Sequence, residues 1–365
     1  MQIVCYSHFM NPTLRTFLEL VEMNSVSQHE QQIGLFLETK LLSLNLYTEL
    51  DEADNLYAYL PGEGATILLN AHMDTVPLAY EVKPIVENGM VHTGGKTALG
   101  ADDKAAIAAI LTVLEEIKVH ELSHPNLVIL FTTCEEMGLL GASHIDMNKL
   151  QGIDYGFTFD ASGPVGTFIT DAPGYDKLEA TFWGKGTHAG FSPERGISAI
   201  QMGSDAVSAM KLLRIDHETT ANVGSFLAPG SKNIVCDKAE LVFEARSLDK
   251  DKLHSQVEHM KHCLHSAAEK HGGKVEINDV HMYDEYHHDS NDPPFVHLKK
   301  ATSSLGLPFM LEPTLGGSDA NILNAKGLTT VVCSTGYEAP HTTSETITQE
   351  QLEKLTSLVR ALAIH

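Results

Sequence analysis

Residues 65–77 read ATILLNAHMDTVP: a short, nearly continuous apolar run that ends on metal-ligand side chains and a proline. A run of this kind fits a strand covered on both faces. Two more follow, NLVILFTT at 126–133 and YGFTFD at 155–160. Between the first two, Ile107, Ile110, Leu111, Leu114 and Ile117 recur at helical spacing. They predict a helix over about 104–119, with Asp103 able to cap its N-terminus. Strand, helix, strand in succession implies an α/β layer built on a mostly parallel sheet.

Further along, the pattern changes. From residue 174 come a strand (DKLEATFWG), a helix (ISAIQMGSDAVSAMKLL), a strand (KAELVFEARSL), a long helix (DKLHSQVEHMKHCLHSAAEKH) and a strand (KVEINDVHMY). This β-α-β-α-β order predicts a small α+β domain over 174–285, inserted into the first. The segment Asp284–Pro294, rich in Asp, Asn and Pro, reads as the linker back. The chain then returns to α/β style with the strand LTTVVCST and a helix from about Gln349. Thr348 and Gln351 form a capping-box pair there, and Ile347 and Leu352 a hydrophobic staple. The first domain is therefore discontinuous, 1–173 with 286–365.

With 365 residues, two domains are the expected number. Acidic residues outnumber basic ones 48 to 25, a formal charge of −23. So negative a surface repels phosphate backbones and anionic headgroups, which argues against nucleic acid or membranes as partners. The five cysteines, Cys5, Cys134, Cys236, Cys263 and Cys333, show no CxxC spacing. Free thiols in a reducing, cytoplasmic setting fit them better than a disulfide framework. The N-terminal MQIVCYSHFMNPTLR lacks a basic region followed by an apolar stretch, so no signal peptide is expected.

Clusters of ligand-type side chains fall at strand ends or just after them, where open α/β sheets bind ligands. They are NAHMDTVP (70–77), GADDKAA (100–106), TTCEEMG (132–138), TFDASG (158–163) and, after the late strand, GYEAPHTTSE (336–345). Each alone has an ordinary explanation: a His–x–Asp turn, a helix cap, a solvated acid pair. Five together are hard to attribute to turn chemistry. Two divalent cations about 3.5–4 Å apart need a bridging carboxylate between them. Each also needs further imidazole or carboxylate ligands and a position open to water. Two His, two Asp and one Glu meet that requirement, and a further acid remains free to take a proton from bound water.

The motifs HMDTVP, GADDKAA, EEMGLLGA and GTHAGFSPERGISAI, in this order, resemble the M20 family of zinc-dependent peptidases, most closely its peptidase T-like branch. The resemblance spans essentially the whole chain. It implies that His72 and Asp160 bind one metal, Glu136 and His341 the second, and Asp102 bridges both. Glu135 is then the general base, and Asp74 fixes the tautomer of His72. The Asp102–Asp103 peptide bond is expected to be cis. The inserted domain resembles the family's lid, which also makes a homodimer. His188 matches the histidine that reaches the partner subunit's site, and Asn233 and Arg246 match residues that hold the substrate. The planar fork of an Arg suits a carboxylate, so a substrate with a free carboxylate is implied. Zinc is the default metal, with cobalt or manganese able to replace it. One departure stands out. Tripeptidases of this branch carry an Arg before the late Gly–Gly, where this chain has Leu315.

The expected reaction is thus hydrolysis of an amide bond in a di- or tripeptide. The alternatives are a deacylase of N-acyl amino acids on the same centre, or a catalytically silent homologue that binds peptide or metal. Other histidines have ordinary readings. His259, His262 and His265 share a helix with many polar residues and are expected on a solvated face. His281, His287 and His288 are expected at the surface in or beside the linker.

Overall fold

The computed structural model describes residues 10–365. Cys5 and the start of the N-terminal segment lie outside the described residues. The chain divides into two compact units, one from 1–170, 288–313 and 318–365, the other from 171–287 and 314–317.

The first unit is built on a mixed sheet, mostly parallel in its centre. Its strands run in the order Tyr47–Leu50, Leu56–Leu60, Asn126–Thr132, Thr66–His72, Tyr155–Ala161, Thr330–Ser334 and Thr167–Ala172. The middle four are mutually parallel, whereas the outer strands pair antiparallel. Their near-continuous apolar sequences follow from coverage on both faces: Leu68, Leu69, Ile129, Leu130 and Phe157 are all buried. The helix Ala101–His120 buries every residue as far as Leu114. Its dihedrals become regular only after Asp103, because Asp102 and Asp103 have non-helical values and the bond between them is cis. Asp103 does not cap this helix; its carboxylate accepts the main-chain N–H of His72 at 3.3 Å. The capping box at the last helix, Gln349–Ala363, is half formed. Thr348 Oγ1 accepts from Gln351 N at 3.1 Å, but the Gln351 side chain turns away to accept from Val165 N at 2.9 Å.

A smaller antiparallel sheet joins Tyr337–Glu338, Thr346–Thr348, Met90–His92 and Ile85–Glu87. Its first two strands form a hairpin whose loop, residues 339–345, carries His341.

The second unit holds an antiparallel sheet in the order Leu213–Arg214, Thr219–Leu227, Lys238–Ser247, Gly174–Trp183 and Lys274–Tyr283. Alternate residues Leu178, Ala180, Phe182 and Leu241, Phe243, Ala245 face one side. There they pack against Met202 and Ala206 of the helix Ala199–Ala209 and Val257, Met260 and Leu264 of the helix Lys250–His271. The strand Thr219–Leu227 was not expected from the sequence. It is exposed along much of its length and broken by a bulge between Val223 and Ser225, so it carries no apolar run. The linker contains a two-residue strand, Tyr286–His287, paired with Ala172 and Asp171. Unlike its neighbours, His288 is not at the surface. It is buried, its Nε2 3.0 Å from Thr330 O and its ring against Phe295.

Candidate active site

The parallel strands deliver their ligand-type residues at their C-terminal ends, where neighbouring backbones lie about 4.8 Å apart. His72 is the last residue of Thr66–His72, and Asp160 lies near the end of Tyr155–Ala161. Glu135 and Glu136 sit in a short 3-10 turn after Asn126–Thr132, entered through Cys134 in the left-handed region.

These side chains converge. His72 Nε2 lies 3.0 Å from Asp102 Oδ1 and 3.7 Å from Asp160 Oδ1. The other Asp102 oxygen, Oδ2, lies 3.2 Å from His341 Nε2, which is also 2.8 Å from Glu136 Oε1. Asp102 thus stands between two groups, one with His72 and Asp160, the other with Glu136 and His341. A third overlapping group joins His72, Glu135 and Glu136.

The electrostatics follow from that crowding. Burial, together with neighbouring carboxylates, pushes Glu135 and Asp160 well above the usual carboxylate range, and Glu136 moves the same way. Burial acts likewise on Asp102, but the hydrogen bonds from His341 and His72 outweigh it and hold that carboxyl low. His341 is pushed up to about 10 by its bonds to Asp102 and Glu136. His72 also rises, although burial opposes its charge, because Asp102 and Asp74 hold the protonated ring. Among the described residues no Lys or Arg comes within ion-pair distance of Asp102, Glu135, Glu136 or Asp160. In this arrangement two protonated imidazoles supply the positive charge that the carboxylates require. Divalent cations would supply it with both rings neutral, so the donor set fits a metal centre.

Asp74 has several partners besides His72. His72 Nδ1 is 3.0 Å from the Asp74 main-chain oxygen and 3.3 Å from Oδ1. The same carboxylate accepts the N–H of Glu135 at 2.9 Å, the N–H of Glu136 at 3.2 Å and the Ser27 hydroxyl at 2.6 Å.

Several participants carry no signal that sequence reasoning could use. Asp319 is buried, accepts from Thr132 Oγ1 and lies 3.4 Å from Asn70 Nδ2. Lys104 is buried with its Nζ donating to Met23 O at 2.7 Å. Burial pushes its ammonium down to about 7, against the pull of Glu345 and Asp74. Glu345, the last residue of GYEAPHTTSE, is 1% exposed and accepts three main-chain N–H groups.

The remaining sequence-selected residues belong to the second unit. His188 is exposed; its Nδ1 accepts from Gly190 N and Phe191 N at 3.1 and 3.2 Å, and its ring lies 4.3 Å from that of Phe191. Asn233 is exposed and uses its main-chain oxygen to accept from Ala189 N at 2.9 Å. The Arg246 guanidinium lies over the Tyr175 ring at 4.6 Å and donates to Glu244 at 3.1 Å and Tyr283 Oη at 3.3 Å. His259 is half-buried, with its Nε2 accepting from Lys211 N, while His262 and His265 are exposed.

Residues 68–365 match the profile of Peptidase family M20/M25/M40. The uncharacterized protein YqjE of Bacillus subtilis (strain 168) is 40% identical over 359 residues, 96% of either chain. A tripeptidase from Staphylococcus aureus has the same fold with a TM-score of 0.90, at 37% identity over 96% of each chain. Aminopeptidase PepT from Bacillus cereus follows with a TM-score of 0.84, at 35% identity over 96% of this chain and 97% of that one. A mostly parallel sheet with a smaller inserted unit, and histidines and carboxylates gathered at its strand ends, thus define a peptide-bond hydrolase of peptidase family M20/M25/M40, to which the chain belongs. Within that family it is peptidase T-like.

Proposed function

We propose that this chain hydrolyses short peptides, di- or tripeptides, with two divalent metal ions and Glu135 as general base. The observation that carries the reading is the pair of ligand groups sharing Asp102, with Glu135 beside them. His72, Asp102 and Asp160 would hold one ion, and Asp102, Glu136 and His341 the other. When bound, such a pair lowers the pKa of water toward neutrality and polarises the scissile carbonyl.

The chain's own residues do the rest. Glu135 accepts the proton of the attacking water and returns it to the leaving amine. Asp74 holds the Glu135 main chain in place through its N–H. From the lid, Arg246 with Asn233 would pair with a substrate carboxylate, and His188 would reach the partner subunit's substrate to stabilise the oxyanion. A homodimer formed through the lid is part of this proposal. Zinc is the metal proposed, with cobalt or manganese as substitutes. A cytoplasmic location accords with four buried free thiols, Cys134, Cys236, Cys263 and Cys333. Among the described residues no helix is long and apolar enough to cross a membrane.

The test is a panel of dipeptides, tripeptides and N-acyl amino acids given to metal-stripped protein with zinc, cobalt or manganese restored. Cleavage of peptides only after metal is restored is the expected result. N-acyl amino acids belong in the panel because Leu315 replaces the Arg of tripeptidases. Cleavage of those alone would move the assignment to a deacylase. Peptide cleavage by the stripped protein, or unchanged turnover in Glu135→Gln, would remove the proposed chemistry.

A further inference from the structure

His341 differs from its fellow candidate ligands. The others are largely buried at strand ends or the start of a helix, whereas the His341 side chain is 49% exposed. It sits at positive φ in the hairpin loop 339–345, as does Ala339. Little packing therefore fixes its ring. The loop is closed on itself by Thr342 Oγ1 donating to Ala339 O at 2.8 Å, Ser344 N to Thr342 Oγ1 at 3.1 Å and Glu345 N to Thr342 O at 3.2 Å. Besides the His341 ring itself, the Glu345 carboxylate ties the loop to the rest of the site. Oε2 accepts from Leu99 N and Gly100 N at 2.8 and 3.0 Å, and Oε1 accepts from Asp102 N at 3.1 Å. Leu99 and Gly100 lead into the helix Ala101–His120 and Asp102 lies in its first turn, where an N–H has no partner within the helix.

We infer that Glu345 is a positioning residue that staples the His341 loop to the main chain of Asp102, and so sets the affinity of one metal position of the two. The inference rests on the two-metal reading above. The Asp102–Glu136–His341 group has one member on the stapled loop, whereas the His72–Asp102–Asp160 group has none. Asp102 is shared, but its partners in the other group, His72 and Asp160, stand on strands that the staple does not touch. Loss of Glu345 therefore weakens the position that uses His341 and largely spares the other.

Two variants test this. In Glu345→Gln one oxygen becomes an NH2 that cannot accept an N–H, so at least one of the three bonds is lost at constant shape; Glu345→Ala removes all three. Metal-stripped protein is titrated with Zn2+ against a chelating indicator, and Co2+ absorption reports each position. Wild type is expected to take two ions. Both variants are expected to take one ion with affinity within a few-fold of wild type and the second about ten- to a hundred-fold more weakly, the size seen for residues that orient metal ligands. Ser344→Ala, on the same loop, is expected to bind both ions as wild type does. If Glu345→Ala does not fold, the isosteric Gln variant decides. Two ions bound at wild-type affinity, or equal weakening of both, overturns the inference. A wild-type protein that binds fewer than two ions overturns the two-metal reading and the inference with it, and is recognised before any variant is made.

Discussion

Replacing Asp74 by Asn isolates what its second oxygen does. The carboxylate is fully buried and accepts from Glu135 N, Glu136 N and Ser27 Oγ, with His72 Nδ1 beside Oδ1. In Asp74→Asn the remaining oxygen can stay with Glu135 N and His72. The new NH2 then faces the Glu136 N–H, donor against donor, while the Ser27 hydroxyl can turn and accept. One buried N–H is left unpaired, which costs about 1–3 kcal/mol. Asp74→Ala strands both N–H groups, roughly 2–6 kcal/mol on the same basis. The catalytic effect has a different route. The main chain under Glu135 and Glu136 shifts, so the proposed base and a candidate ligand move together, and kcat and metal affinity are each expected to fall about 10- to 100-fold. Ser27→Ala removes one partner and leaves the carboxylate whole; it should cost about 1 kcal/mol or less and leave kcat near wild type. Steady-state kinetics, zinc titration and urea midpoints are the assays. If Asp74→Asn keeps kcat within twofold and binds metal as tightly as wild type, the anchoring argument is wrong and Asp74 is a packing residue.

Metal-free protein should lose stability as pH rises from about 5 to 9. His72, His341, Glu135 and Asp160 all have folded values above their ordinary ones, so the folded state binds more protons and stability falls with pH. The His341 contribution is complete below its unfolded pKa near 6.5 and is lost as pH climbs through about 10. Thermal melts with and without zinc check this, and a flat profile in the stripped protein would refute it. Gly141→Ala should destabilise the first unit by about 1–3 kcal/mol, because an added Cβ would lie 2.0 Å from Thr133 O, just before the Glu135 turn. Urea unfolding measures it, and a midpoint equal to wild type would contradict the close approach. For His188, mixing a His188→Ala chain with a Glu135→Ala chain should restore up to about half of wild-type activity per mixed dimer. No recovery, with subunit exchange demonstrated, would rule out action in trans.

Legibility in the sequence followed the physics of each element. The central strands were readable because burial on both faces forces unbroken apolar runs, as in Thr66–His72 and Asn126–Thr132. Thr219–Leu227 was not, because its exposure and its bulge leave no periodic trace. The candidate ligands were readable as clusters after strands. Their anchors were not, because hydrogen bonds from a carboxylate to distant main-chain N–H groups have no sequence spacing: Glu345 lies 243 residues from Asp102. The same holds for Glu30, which accepts from Cys134 N at 3.0 Å, and for Asp103, expected as a cap but turned to His72 N.

Those anchors share one design. Asp74, Asp103, Glu345 and Glu30 are buried carboxylates that accept a main-chain N–H of a candidate ligand, of the proposed base, or of the residue beside it. Placing four more acids around a centre already dense in carboxylates is unfavourable unless positive charge offsets them. Main-chain dipoles supply part of it; Lys104, whose ammonium burial pushes down to about 7 against the pull of Glu345 and Asp74, adds only a fraction more. The remainder is what divalent cations would bring. On this argument metal binding and main-chain order are one equilibrium. The cations would stabilise the anchors' charge, and the anchors would hold the candidate ligands at the separation the cations need. A metal present at a hundredfold its Kd then adds about 2.7 kcal/mol to the folded state, and an anchor lost by mutation lowers that contribution by weakening the binding itself.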